Sequence, residues 1–298
     1  MEVSELLDTW QEGLRPLRAQ MFPQQVLLEL HDDCLRGQVV RDGRPEPVSL
    51  EAPLPPLTMR NGMPLEKEPL GDLIGDLLVR DGLIDHFVLA ALPPAAAHWR
   101  VVVWPFEDWP EDPARALRQI DPPLNLPFRL DEAYLDLQPL PGQPTQMLLA
   151  ASPKALVDAW IDVFTMAGVQ LERLAPPQSC QLAALADLLE EAPPDQLVAL
   201  LAPEGGDGHR LLLVRAGVPV FERALLSTGD GLVDDLVRSI SFYRRQDSAV
   251  RDVRLLLTDA VAERSQLEAR LSLLAEEITP EPFGSLVLQG LAMPEVAS

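Results

Sequence analysis

The same three-strand meander can be read twice from the apolar spacing of this chain, and that repetition limits its possible folds more than any single motif. The first copy has strand-length segments at 26–30, 35–40 and 48–51, separated by His31-Asp32-Asp33 and by Arg41-Asp42-Gly43, whose Asp-Gly pair is a hairpin signal. The second has strands at 197–201, 210–215 and 218–225, with Gly205, Gly206 and Gly208 at one turn and Gly217 at the other. Helices follow both copies. After the second, Leu232, Leu236, Ile240 and Tyr243 mark a helix with Arg244 and Arg245 near its end to complement its dipole, then a strand at 253–257 and a helix over 261–276.

A segment of different rhythm lies between the copies. Residues 53–64 read as a linker. Leu70, Leu73, Ile74, Leu77 and Leu78 form a helical stripe, and strands are expected at 87–92, 100–104, 134–138 and 147–151, with a short helix at 113–120. Ser152 and Pro153 read as the cap and first residue of a helix carrying Leu156, Val157, Trp160, Ile161 and Phe164 on one face and ending at Gly168. A strand at 169–174 and a helix at 179–191 complete the first part, and a further amphipathic helix over 2–21 is expected to pack on its own domain. The predicted division is 1–62 with 152–196 as one half, 63–151 as an inserted module, and 197–298 as the other half.

Charge and rare residues exclude several function classes. A formal charge of −22 repels nucleic acid and anionic lipid, and favours basic partners. The only lysines, Lys67 and Lys154, lack the preceding glycines of a P-loop. Cys34 and Cys180 stand alone, as expected of thiols in a reducing cytosol. His31, His86, His98 and His209 are scattered without metal-ligand spacing, and Asp72 with Asp76 reads as a solvated helix face, so no metal site is expected. No serine has a nucleophile-elbow context. The longest apolar stretch, 87–97, is too short to span a membrane and contains Pro93 and Pro94, and no leader is expected at the N-terminus.

A doubled strand-meander-and-helix layout is that of an α/β, duplicated RNase-H-like (actin-like ATPase) fold with a small α+β module inserted in the first half. Four segments add a family resemblance. Leu148-Leu149-Ala150-Ala151 leading to Ala155-Leu156-Val157-Asp158-Ala159-Trp160 and Ala167-Gly168-Val169 is one, and the hairpin Val214-Arg215-Ala216-Gly217-Val218-Pro219-Val220-Phe221-Glu222-Arg223 is another. The helix Arg238-Ser239-Ile240-Ser241-Phe242-Tyr243-Arg244-Arg245-Gln246 and the ending Pro282-Phe283 with Gly290-Leu291-Ala292 complete the set. Together with Leu70-Gly71-Asp72-Leu73-Ile74 and Trp99–Pro105, in this order, they resemble the PilM/MshI family of type IV (MSHA-type) pilus assembly proteins over about 25–293. The resemblance implies an FtsA-related fold and a cytoplasmic scaffold at the inner membrane. It would be held there through the cytoplasmic tail of a PilN-like bitopic partner in a groove between body and module, within the pilus assembly complex.

An actin-like nucleotide site wraps phosphates in two glycine-rich hairpins, each preceded by an acid, and passes the adenosine along a third glycine loop. Here Glu29 and His31 stand where the family has Asp-x-Gly, and Asp32 and Asp33 would repel a phosphate. Gly205, Gly206 and Gly208 remain as a remnant phosphate loop, but the expected acid falls on Ala202 or Pro203, and Thr258-Asp259-Ala260 replaces the third glycine loop. No catalytic residue and no resident cofactor are therefore expected. The alternatives are a working actin-like protein that binds ATP and Mg²⁺, or a component like the GspL group of type II secretion, which normally continues into a membrane helix. Trp99 and Trp104, five apart on one strand, cannot share a face; they are the expected partner-binding aromatics at the lip of the groove, with Trp109 nearby.

Overall fold

The computed structural model describes residues 24–41, 44–104, 112–119, 124–140, 143–205, 208–258, 263–278 and 281–293. The expected helix at 2–21, Trp109, Gly206 and most of the third nucleotide loop lie outside these residues.

In chain order the first part contains β1 (Gln25–Leu30), β2 (Cys34–Arg41), β3 (Arg44–Pro53), the ribbon β4 (Met59–Arg60) and β5 (Met63–Pro64), α1 (Lys67–Arg80) and β6 (Phe87–Ala91). Then come β7 (His98–Val103), α2 (Pro113–Leu117), β8 (Ala133–Leu140), β9 (Gln143–Pro153), α3 (Lys154–Met166), β10 (Gln170–Ala175), α4 (Pro177–Ala184) and α5 (Ala186–Glu191). The second part has β11 (Gln196–Gly205), β12 (Gly208–Arg215), β13 (Val218–Leu225), α6 (Asp230–Gln246), β14 (Asp252–Leu257), α7 (Arg264–Leu271), β15 (Ala275–Glu277) and α8 (Leu286–Ala292).

Two five-stranded sheets have matching order, β10-β6-β1-β2-β3 and β13-β12-β11-β14-β15 read in opposite directions. In each the meander is antiparallel, and its first strand pairs in parallel with the strand after the helix: β1 with β6, β11 with β14. Helices cover both faces, so β1 and β11 are largely apolar on both sides, with Glu29 as the charged exception in the body of β1. Val26, Leu28 and Leu30 face a core filled by Ile74, Leu78, Trp160 and Phe164 of α1 and α3, whereas Leu27 faces α4 and α8. In β11, Leu197, Ala199 and Leu201 face α6 and α7, while Val198 and Leu200 face the α5 side.

The strand pairing corrects the first domain boundary. Helix α1 and strand β6 lie within the predicted insert of 63–151, yet β6 pairs with β1 and β10 inside the first sheet and α1 packs in its core. The inserted sheet, β7-β9-β8, begins only at His98 and ends at Pro153. A run such as Phe87–Ala91 carries no local mark of which sheet it joins; its register against β1 decides that. Ser152 likewise does not cap α3: it is the penultimate residue of β9, and its hydroxyl donates to the Ala96 carbonyl at 2.9 Å. The helix expected at 179–191 breaks at Leu185 into α4 and α5, and β15 follows a shorter α7 than expected.

Helices α4 and α8 hold corresponding places in the two parts and cross each other. At the crossing, a Cβ placed on Gly290 would lie 2.0 Å from the Cys180 carbonyl oxygen, so only glycine lets the backbones meet. Cys180 is buried there, and burial pushes its thiol pKa up to about 12, which keeps it inert. Arg173 of β10 ties the same end of α8 by donating to the Leu291 carbonyl. The substitution Gly290→Ala must separate the helices and is expected to cost roughly 1–3 kcal/mol, as for overpacked cores. Equilibrium denaturation measures this, and an unchanged midpoint would show that the crossing yields freely.

Candidate functional site

The turns β1–β2 and β11–β12 face each other across the cleft between the two sheets, at the foot of which α4 and α8 cross. Period-two alternation puts Glu29 and His31 on the same face of β1 as Leu27, toward that cleft. Both are buried, at 7% and 2% exposure. His31 Nε2 lies 3.2 Å from Glu29 Oε1, without a well-aligned hydrogen bond on either ring nitrogen. The other carboxylate oxygen, Oε2, accepts from Ser285 Oγ at 2.5 Å. Ser285 also caps α8, its Oγ accepting from the Leu288 N–H at 3.1 Å.

These contacts set the protonation states. Burial pushes the Glu29 carboxyl up, but the His31 ring, the Ser285 hydroxyl and the Arg36 charge together outweigh it and hold it below its ordinary value. Burial pushes His31 down, but the Glu29 carboxylate, helped by the Glu204 backbone, raises it above its ordinary value against the opposing charge of Arg36. Each partner's shift thus favours charge on the other.

A second charged cluster sits on the opposing hairpin. Arg210 of β12 bridges Glu204, across its own turn, and Glu222 of β13 at 2.9 Å. Glu222 also accepts from Gln178 Nε2 of α4 at 2.9 Å and from Trp99 Nε1 of β7 at 2.5 Å. One carboxylate therefore joins the second half, the crossing helix and the inserted module. Burial raises the pKa of Glu204, with Arg210 opposing and the charges of Glu222 and Asp32 adding to it. The two turns approach closely enough for Glu29 and His31 to line one small space with Pro203 and Arg210. Asp32 itself accepts from the Gly62 N–H at 2.9 Å, where Gly62 holds a positive φ of 77° and a Cβ would meet Ala96 at 2.9 Å.

Little room remains between the clusters. The larger cavity, lined among others by Glu29, Arg36, Gln181, Thr258 and Ser285, holds about 110 Å³. That is well below the ~300 Å³ at which small-molecule pockets begin. Of the remnant phosphate loop, Gly205 pairs with Gly208 as the closing rung of the β11–β12 hairpin. Beside this rung lies the Glu204–Arg210 pair. Among the described residues no group of three His, Cys, Asp or Glu side chains is placed to hold a metal. Cys34, beside the first turn, is pushed up to about 11 by burial and by Asp33.

The structure does not bring Trp99 and Trp104 together as a lip. Trp104 is 7% exposed in the module's own core with Val102, Leu117 and Leu149. Trp99, on the opposite face, packs against the second half and gives its N–H to Glu222. The aromatic residue at the seam between module and body is Tyr134 of β8, which is 47% exposed and donates to Asp158 of α3 at 3.0 Å. Lys154 stacks 5.8 Å from its ring, and Ile161, one turn along α3, is 43% exposed. Glu222, Gln178, Ser285 and Tyr134 carry no local sequence signal; only their convergence in space marks them.

Two matching sheets with crossed helices at the base of a cleft define an actin-like ATPase fold. No family model and no curated protein matches the chain. Its fold is similar to that of a chain in a PilM-PilN type IV pilus biogenesis complex, with TM-score 0.69 and 20% identity over 90% of this chain and 97% of that one. It is also similar to a Bacteroides thetaiotaomicron protein of actin-like ATPase fold and unknown function, with TM-score 0.57 and 10% identity over 92% of this chain and 96% of that chain. The third likeness is to the cytoplasmic domain of EpsL, an inner membrane component of the type II secretion system of Vibrio cholerae, with TM-score 0.50 and 13% identity over 90% and 94%. The fold is therefore PilM-like and actin-like. No described helix is long and apolar enough to cross a membrane.

The pH dependence of the buried pair has a definite sign. Glu29 is lowered from 4.5, so its contribution is present above that value and is lost as pH falls through its folded pKa. His31 is raised from 6.5, so its contribution is complete below 6.5 and is lost as pH rises through its folded pKa. Stability should decline as pH rises past 6.5, and His31→Gln should flatten that decline in denaturant melts on either side of this pH. An identical slope in the variant would show that the pair does not link the proton to folding.

Proposed function

We propose that this protein is a scaffold for assembly of a type IV, MSHA-type pilus, which receives the cytoplasmic tail of a PilN-like inner-membrane protein and does not turn over ATP. The observation that carries this reading is the end-to-end likeness to the chain of the PilM-PilN complex, covering 90% of this chain and 97% of that one. The likeness to the EpsL domain supports the same kind of membrane-apparatus role. In this reading the protein works on the cytoplasmic face, peripheral to the inner membrane, and is held there by its partner rather than by a span of its own.

The seam between β8 and α3 suits such a tail. Tyr134 and Ile161 offer apolar surface, and Leu65, which is 51% exposed, lies two residues before the Lys67 that pairs with Asp162 at 2.7 Å. Asp158 and Asp162 supply acids along α3. Tails next to the cytoplasmic end of a membrane helix are commonly basic, and the −22 charge of this chain attracts them.

The cleft argues against nucleotide turnover. Where a triphosphate would need bare backbone N–H groups and a metal, this chain presents Glu29, His31, Glu204 and Arg210 already engaged with one another. A bound nucleotide would have to break both clusters and open a space several times larger than the one present.

Two measurements test the reading. A synthetic peptide of the N-terminal tail, from a single-span membrane protein encoded beside this chain's gene, should bind with affinity that falls as salt rises. Tyr134→Ala should weaken that binding roughly tenfold, as loss of an aromatic anchor does. Binding that is absent, or indifferent to salt, would overturn the scaffold reading. In a thermal-shift titration, ATP with Mg²⁺ should leave the melting temperature unchanged; a saturable, Mg²⁺-dependent rise would instead assign nucleotide binding to the cleft.

A further inference from the structure

On the outer face of the second half, α6 carries the longest departure from the acidic character of this chain among its described helices. The sequence holds 46 acids in 298 residues, yet none occurs between Asp235 and Asp247, where Arg238, Arg244 and Arg245 fall. Arg238, Phe242 and Arg245 are spaced four and three apart and therefore form one stripe along the helix. All three are turned away from the core. The Arg238 side chain is 71% exposed, Phe242 is 51% exposed, and Arg245 is exposed. The opposite face of α6 buries Leu232, Val233, Leu236 and Ile240.

The surrounding charges leave this stripe basic. Asp234, one turn before Arg238, is taken by Arg270 of α7. Asp235 is shared by Arg238 at 3.6 Å, Arg223 of β13 at 3.7 Å and the Ser227 hydroxyl at 2.8 Å. Asp247 is taken by Arg215. Arg244 and Arg245 form no ion pair among the described residues. Their place in the last turn complements the helix dipole, which accounts for two arginines there. It does not place the half-exposed Phe242 ring between Arg238 and Arg245, which joins apolar surface to the two charges.

We propose that the Arg238–Phe242–Arg245 stripe docks an acidic protein segment that carries an apolar anchor residue, at a second interface separate from the β8–α3 seam. Phe242 supplies the desolvated centre and the arginines the charged rim that orients the partner. The net charge of −22 disfavours an acidic segment on average, and the stripe offers it unpaired arginine charge beside an apolar ring. A basic membrane-protein tail is disfavoured here by the same charges. This interface therefore stands or falls independently of the tail-binding reading.

The test uses the full chain and a random peptide display library, with counter-selection against the double variant R238E/R245E. Enriched peptides are expected to be net acidic with at least one large apolar residue. A representative enriched peptide should lose about tenfold or more in affinity to R238E/R245E and severalfold to Phe242→Ala, with the wild-type affinity falling as salt rises. These residues are exposed, so thermal melts of the variants should match the wild type, and binding of the membrane-protein tail should be retained. Enrichment of neutral or basic peptides, or of none, overturns the proposal. So does concentration-dependent self-association of the wild type, measured by sedimentation, that F242A abolishes, because the stripe would then be covered by a second copy of the chain.

Discussion

Everything in this molecule rests on the contact between two helix backbones at Gly290 and Cys180. Each half is a sheet covered on its outer face by its own helices and on its inner face by helices that meet at this crossing. The α8 helix returns from the end of the second half to bury Val287, Leu288 and Leu291 against Leu27, Leu89 and Ala91 of the first sheet. A side chain at residue 290 would hold α4 and α8 apart and lift α8 off β1. Ser285, at the start of the same helix, would then leave Glu29, so the geometry of the cleft follows from the crossing.

Within the cleft, charged side chains of the two facing hairpins pair with one another. A phosphate site keeps donors unsatisfied until an anion arrives. Here charged side chains lie against one another, Glu29 beside His31 and bonded by Ser285, and Arg210 beside Glu204 and Glu222, while both His31 ring nitrogens remain without an aligned hydrogen bond. Removing charges from water is costly, and such pairs persist only when each partner is held by further bonds. The cap of α8, the closing rung of the β11–β12 hairpin and the Gln178 amide provide that support.

Glu222 extends these contacts to the inserted module. Trp99 reaches it from β7 and Gln178 from α4, so the module is tethered to the second half as well as to the first, where Ser152 bonds the Ala96 carbonyl and Tyr134 bonds Asp158. The exposed surfaces that remain are chemically distinct. The β8–α3 seam combines apolar residues with aspartates, whereas α6 combines an apolar residue with arginines. Opposite charge at two separate faces is a physical basis for holding two different partners at once.

The sequence by itself determined the doubled architecture, because an apolar run that alternates faces through two polar turns can only be a meander, and that pattern occurs twice. It also showed that the end of β1 and the turn after it carry no glycine, since Glu29, His31, Asp32 and Asp33 stand there in plain view. It did not determine that Phe87–Ala91 lies inside the first sheet, that Ser152 belongs to a strand instead of capping a helix, or that Trp104 is buried. Nor could it join Glu29 to Ser285, 256 residues apart, or Trp99 to Glu222, 123 apart. Local patterning fixes which face of an element is apolar, since that depends only on the period of the backbone. Which elements then share a face depends on register and on how closely two backbones can approach, and both are settled only when the halves pack.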